Sequence, residues 1–509
     1  MENRTRLQRL SAFLAGAALV MFLVLIAVLA LCSHVVTVHE GFENYPMNEL
    51  VVFWWDNLLL SVLATAAAIA ACMALHRLFE KGKKFHLTQV LLALWLAATM
   101  LWLWGARVTP RADSQRVVEA AQMLARGDYS PMRDIYFNDS SYQMGICFFF
   151  EIICRLLPGL ELFEVVQMIT AAMCVAMVFV MAAFAREAAG DGQRYAAYAM
   201  YLLFLPMPFY CTYVYGTVPM MFLTACAYLL FARYVRRGGV GNGLGFALCM
   251  GLAAVMKPNA MIAMLALVIC AVLHAMNSRD WRVLAYAALT AVLCWAMPRV
   301  IVWQYELRSG CEFAGDLSML ARLTMGFQRS ATGAGWFNNY IDQYSTWLME
   351  PEEAKALILA DLKEIFAAFK EAPGTFVQFM TEKCASLWLE PTYSALWHGA
   401  VSDVTGRFNG LANMVYLGAL RMPVERMMDA FQQAMYVLAC IGAGKDFRKR
   451  NDPVRILLPV LTLGGFLYHA LFEAKSQYVF VYAFFLLPLA AQGLCVLEEK
   501  LRSIIGRKK

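Results

Sequence analysis

Charge is what this sequence has least of. Asp, Glu, Lys and Arg make up 16% of 509 residues, against about a quarter in ordinary soluble chains. Apolar residues fill 61%, and the mean hydropathy is +0.56. So long a chain cannot build a water-facing surface from that supply, which excludes a disordered scaffold, a disulfide-stapled secreted domain and a cytosolic enzyme. The seven histidines are scattered singly, against a metal cluster. The fourteen cysteines show no metal-ligand spacing and mostly sit in apolar runs (Cys32, Cys72, Cys174, Cys226, Cys249, Cys270, Cys294, Cys440, Cys495), where they serve as small apolar residues. No internal repeat of the kind that marks many secondary transporters is visible. The net charge of +6 comes from short basic clusters between apolar runs. That is a topological pattern, not a nucleic-acid surface.

What is present is a series of apolar runs, the signature of an all-α polytopic membrane protein. Arg4, Arg6 and Arg9 precede a run from Leu10 to Val36, longer than the roughly 7–15 apolar residues of a secretory signal, so an uncleaved first helix with a cytoplasmic N-terminus is expected. Further runs occupy 51–75, 88–106, 145–157, 162–185, 195–213, 217–232, 243–256, 259–275, 283–304, 424–441, 456–472 and 478–496. A spanning helix needs about 20 residues and several runs are shorter, so about 11–13 transmembrane helices are expected. Basic clusters at Arg77/Lys81/Lys83/Lys84, Arg233/Arg236/Arg237, Arg279/Arg282, Lys445/Arg448/Lys449/Arg450/Arg455 and Lys500/Arg502/Arg507/Lys508/Lys509 mark the cytoplasmic side. Loops 107–144 and 305–407 then fall outside; between Glu306 and Arg407 the second holds 8 Lys/Arg and 13 Asp/Glu. The expected organisation is an N-terminal transmembrane hairpin (1–85), a transmembrane core (86–304), a long extracytoplasmic loop (305–407) and C-terminal transmembrane helices (408–509). One count does not close. Four runs lie between the first outside loop and the cytoplasmic cluster at 233–237, where an odd number of crossings is required; the short run Ile146–Leu157, interrupted by Glu151, is the weakest.

The outside loops carry the polar residues of interest. In the first, Asp113 stands ahead of a helix with Val117, Ala121 and Leu124 on its apolar side and Gly127 as its stop. Asp113 is either an N-cap or a carboxylate held just outside a span. In the second, Gln328, Trp336 and Asn338 lie in a segment dense in amide, aromatic and glycine residues. Such a segment suits a carbohydrate, with aromatic faces on sugar C–H surfaces and amides on hydroxyls, and equally a Gly-rich turn around a buried Trp. Pro351 opens a strong helix with Glu352 and Glu353 in its first turn and Lys370 in its last; its Leu357, Leu362, Ile365 and Phe369 need a partner, a second loop helix or the membrane surface. Cys311 and Cys384 share this loop, where an oxidising exterior would permit a disulfide; the alternative for Cys384 is a small buried residue on a helix. Lys257, between two runs, and Lys475, in the outer turn of the last hairpin, could each meet a phosphate at head-group level or snorkel to bulk lipid.

Three stretches, taken in order, resemble the GT-C superfamily of integral-membrane glycosyltransferases, the group of protein O-mannosyltransferases and lipid A aminoarabinose transferases, with closest likeness to family-39-like members of Gram-positive bacteria. They are Pro110-Arg-Ala-Asp113 with Gly127-Asp128-Tyr129 and Tyr142-Gln143-Met-Gly145; Met325-Gly-Phe-Gln328 with Gly335-Trp336-Phe-Asn338; and Glu473-Ala-Lys475-Ser-Gln-Tyr478. The resemblance covers the chain from about residue 86 onward and makes the first two spans an addition.

The resemblance implies a GT-C-like bundle and a glycosyltransferase. Its donor would be a polyprenyl-phosphate sugar held among membrane lipids, its acceptor an envelope glycan, lipid or protein, and its place the outer side of a bacterial plasma membrane. Asp113 matches the acidic residue that serves as base or orients the acceptor. Tyr142, Gln143, Lys257, Gln328, Trp336, Asn338 and Lys475 are the substrate-binding candidates, the two lysines facing the leaving phosphate. Many relatives have two adjacent acids where this chain has Asp113-Ser114, so no cofactor follows and a divalent metal lacks its paired acidic motif. Many also have His-Pro where this chain reads Ser141-Tyr142-Gln143. A lipid or polysaccharide transporter, or a non-catalytic GT-C-like lipid-sugar-binding protein, is the alternative.

Overall fold

The computed structural model describes residues 6–41, 49–313, 319–345 and 348–506. Arg4, Arg507, Lys508, Lys509 and the side chain of Arg448 lie outside the described residues.

The described residues are almost wholly helical, and nine of their helices are long and apolar enough to cross a membrane. These are α1 (Arg6–Cys32), α2 (Leu58–Gly82), α3 (Leu87–Ala106), Leu162–Ala189, Thr217–Arg237, Ala260–Ser278, Arg282–Ser309, Pro453–Leu471 and Phe480–Gly506. Three further helical segments pack into the same bundle. Val240–Met256 is apolar but shorter. Arg421–Asp446 has 26 residues, about 39 Å of helix, and buries its polar side (Glu425, Asp429, Gln432, Gln433) within the protein rather than against lipid. Asp191–Leu203 and Pro206–Tyr210 are two helices separated by a break near Phe204.

Helix ends sort these elements onto two faces. On one, Arg237 pairs with Glu187 and Arg236 with Asp452, both at 2.6 Å, and Arg77 with Glu498 at 3.3 Å. On the other lie the two long loops. Met144–Leu156 never leaves that loop face. Its 13 residues reach only about 20 Å, and its end returns to the first loop, where Arg155 Nη2 donates to Leu124 O at 2.9 Å. The next helix starts on the same face, where Arg107 at the end of α3 pairs with Glu164 at 2.7 Å. Three helical passes, Leu162–Ala189, residues 191–210 and Thr217–Arg237, therefore lie between the first loop and the Arg233–Arg237 cluster, the odd number that the two faces require. Glu151, on this non-crossing helix, is buried among Tyr305, Arg308 and Arg155.

The apolar run 51–75 opens as a strand rather than a helix, and a second strand begins where the first run ends, at Val36. Val36–Glu40 (β1) and Val51–Trp55 (β2) pair antiparallel with Val36 opposite Trp55, and their Val, Phe and Trp content is the kind that favours a pleated ribbon. The ribbon sits on the loop face and is tied to the long loop by its edges. Val38 N donates to Leu389 O and Val51 N to Thr332 O, both at 3.0 Å. The N-terminal hairpin is thereby joined to the rest. Asp56, at its foot, accepts from Thr37 and Arg426.

The loop helices follow the sequence closely. α4 (Ala112–Ala125) fully buries Val117, Ala121 and Leu124, and Gly127 ends it with φ +85°. Pro351–Glu371 finds its partner in the second loop helix, Pro373–Trp388: Leu362, Ile365 and Phe369 pack with Phe379, while Leu357 stays 44% exposed. Cys311 and Cys384 are free thiols, so of the two alternatives the unpaired one is realised. The Cys311 amide is turned back onto Ser309 Oγ at 3.2 Å, and Cys384 rides on the second loop helix beside Lys383.

Candidate active site

A cavity of about 1040 Å³ opens on the loop face, assembled from the start of α4, the Thr212–Tyr215 turn, the Lys257 linker, the Glu473–Tyr478 turn and Glu49. Small residues permit these segments to meet. A Cβ at Gly216 would stand 2.1 Å from Met256 O, and one at Gly145 1.8 Å from Val255 O, so only glycine lets these two backbones approach the end of Val240–Met256, just ahead of Lys257.

Asp113 is not the N-cap of α4. That position is Arg111, which makes no side-chain cap bond, and Asp113 sits in the first turn. The helix start is instead pinned by Ser114, whose Oγ donates to Val214 O at 2.7 Å. The Asp113 carboxylate lines the cavity, with the Tyr215 hydroxyl 3.5 Å from its Oδ2 and the Gln143 amide donating to that same hydroxyl. Burial, then the Asp113 charge, hold the neighbouring Tyr136 hydroxyl protonated.

Lys257 has an extended backbone between two helices. Its Nζ donates to Thr217 Oγ1 at 2.8 Å and lies 4.9 Å from the Tyr215 ring centroid and 5.8 Å from that of Tyr478. Burial draws its pKa down to about 8, opposed by Asp113 and Glu473. Lys475 has a different setting: Glu49 is already on its ammonium, with the Trp397 ring 4.5 Å away. Burial works against its charge, but Glu49 and Glu40 outweigh it and hold the group above the ordinary lysine range. Glu473, which accepts from the Tyr478 hydroxyl at 3.1 Å, is pushed up by burial, with Arg322 and Lys475 opposing.

The structure thus gathers Asp113, Tyr142, Gln143, Lys257 and Lys475 around one cavity. It does not bring Gln328, Trp336 or Asn338 there. Asn338 Nδ2 donates to Gln328 Oε1 at 2.8 Å, and Trp336, 1% exposed, donates from Nε1 to Ser386 Oγ at 3.0 Å. Their segment is a turn, with an Arg329–Ala334 bridge and Gly335 at φ +75°, so the reading as a Gly-rich turn around a buried Trp is the one realised; only the adjacent Phe337 lines the cavity. Trp336→Phe removes the bond to Ser386. A loss of about 1 kcal/mol in thermal unfolding is expected, with ligand binding in the cavity unchanged.

Sequence reasoning missed Arg322, whose guanidinium lies 5.6 Å from the Tyr142 ring centroid, and His398, stacked on Tyr213 at 3.8 Å. Burial and Lys475 keep His398 neutral. Glu49, in a segment with no motif, was invisible; Glu473 lay inside a quoted motif and only its burial singles it out. Among the described residues no three His, Cys, Asp or Glu side chains converge as a metal would require.

Fold and cavity together define a multi-pass membrane protein with a polar site at one membrane face. No protein-family model and no curated protein matches the sequence. Among solved structures, the chain is similar to the archaeal oligosaccharyltransferase AglB from Archaeoglobus fulgidus in complex with an inhibitory peptide and a dolichol-phosphate (12% identity, TM-score 0.43, 84% of this chain and 52% of that one). It is also similar to an Archaeoglobus fulgidus oligosaccharyltransferase tethered to an acceptor peptide containing the NVT sequon (11% identity, TM-score 0.42, 83% and 51%). The chain spans about half the length of these structures.

Proposed function

We propose that this chain is a GT-C-like glycosyltransferase that moves a sugar from a polyprenyl-phosphate donor to an envelope glycan, lipid or protein on the outer side of a bacterial plasma membrane, its termini cytoplasmic. The observation that carries the reading is a carboxylate not spent as a helix cap, Asp113, lining the same cavity as the half-buried ammonium of Lys257. In the reaction, Asp113 takes the proton of the acceptor hydroxyl as its oxygen attacks the anomeric carbon. The bond from that carbon to the phosphate oxygen breaks, and the electron pair leaves with the polyprenyl phosphate. Lys257 meets the charge that develops there, and Tyr215, bridging Gln143 and Asp113, orients the carboxylate. A cavity of this size accommodates a sugar with its phosphate and part of an acceptor.

The test is a deletion strain analysed by mass spectrometry. Polyprenyl-phosphate sugar should accumulate and one envelope sugar should disappear. An unchanged lipid-linked pool with an unchanged envelope would overturn the reading.

A further inference from the structure

The N-terminal ribbon delivers a carboxylate into the cavity. Glu49, two residues ahead of β2, is paired with Lys475, and both line the cavity that holds Asp113 and Lys257. The pair is largely withdrawn from water, with side chains 30% and 15% exposed, so its attraction is screened less than that of a surface pair. Gly41 N donates to Leu50 O at 2.9 Å and Val51 N to Thr332 O at 3.0 Å, so the two residues that follow Glu49 are both tied down and keep its carboxylate within reach of Lys475. A second acid of the ribbon, Glu40, does not share this role. Burial raises its pKa to about 8, with Lys475 opposing and Glu390 adding, and among the described residues it forms no ion pair with Lys475 as Glu49 does. Glu49 is the carboxylate in contact with the ammonium.

A carboxylate and a phosphate make the same kind of charge-assisted bond to an ammonium group. We propose that Glu49 is a tethered anion that competes with the donor's phosphate for Lys475, so that the N-terminal ribbon sets donor affinity. The inference rests on the glycosyltransferase reading above. It assigns the ribbon a direct part in the site: the first spans hold a competitor in place.

The experiment measures binding of decaprenyl phosphate to the full chain in nanodiscs, with inorganic phosphate as the tail-free control. Glu49→Gln, nearly isosteric, should bind decaprenyl phosphate about tenfold more tightly than wild type, the equivalent of one modest contact. Glu49→Asp, which withdraws the carboxylate by one methylene, should fall between the two and guards against a folding defect in the first variant. Glu49→Gln combined with Lys475→Gln should bind no better than Lys475→Gln alone. Equal or weaker binding by folded Glu49→Gln and Glu49→Asp would overturn the proposal, as would the same gain without Lys475, or a gain seen with inorganic phosphate only. Wild-type protein that binds no decaprenyl phosphate at all would overturn the glycosyltransferase reading and this one with it.

Discussion

Asp113→Asn is expected to lower sugar transfer by about two to four orders of magnitude, the usual worth of general-base catalysis, while leaving the fold intact. The amide has nearly the shape of the carboxylate and can still meet the Tyr215 hydroxyl, but it cannot accept a proton from the attacking hydroxyl. No helix-cap loss confuses the result, because Arg111 and not Asp113 occupies the cap position, and Ser114 holds the helix start to Val214 independently. Single-turnover transfer, with donor binding measured alongside, separates the outcomes. A collapse of the chemical step with binding retained marks a base; loss of donor binding alone would make Asp113 an anchoring group; unchanged turnover in folded protein would leave it no part in the chemistry.

The membrane fold was legible because long apolar runs and flanking basic clusters are strong, local signals. What they misrepresented has a common cause. Val51–Trp55 is as apolar as the helix it adjoins, and hydropathy cannot tell a strand from a helix turn; Val36–Glu40, with Thr37, His39 and Glu40, lies where the first run gives out, and the tertiary edges offered by Leu389 and Thr332 hold the two as a ribbon. Arg421–Asp446 shows the converse. Its Glu425 and Asp429 weaken the apolar signal, yet they meet buried partners: Glu425 pairs with His39 at 2.6 Å, and Asp429 accepts from Thr37. Met144–Leu156 reads as a weak span because it is a real apolar helix buried against α4 rather than in lipid.

The site was legible in part, for a related reason. Asp113, Lys257 and Lys475 stand out as isolated charges beside apolar runs, where an ionisable group needs a reason. Trp336 and Asn338 stood out by composition alone, and composition does not distinguish an aromatic that faces a ligand from one that fills a turn. Arg322 and His398 are single polar residues in ordinary loop sequence. Nothing but the packing of distant segments brings them to the cavity wall.

Lys257→Gln is expected to cost about two to three orders of magnitude in turnover, comparable to removing one preorganised donor from a site of developing negative charge. The group is suited to that work by its surroundings: Thr217 fixes its Nζ at 2.8 Å, aromatic faces flank it, and among the described residues it forms no ion pair of the kind Glu49 makes with Lys475. Its burial has a measurable consequence. With a pKa drawn down to about 8, the ammonium is charged below that pH and loses its proton above it, so transfer should fall roughly tenfold per unit once the pH passes well above 8. Lys475, held up by Glu49 and Glu40, does not produce a limb there. Lys257→Arg keeps its charge across the whole range. Whatever its absolute rate, its profile should be flat where the wild type declines. An alkaline limb that persists in Lys257→Arg would assign the titration to another group, and full activity in Lys257→Gln would remove Lys257 from the leaving phosphate.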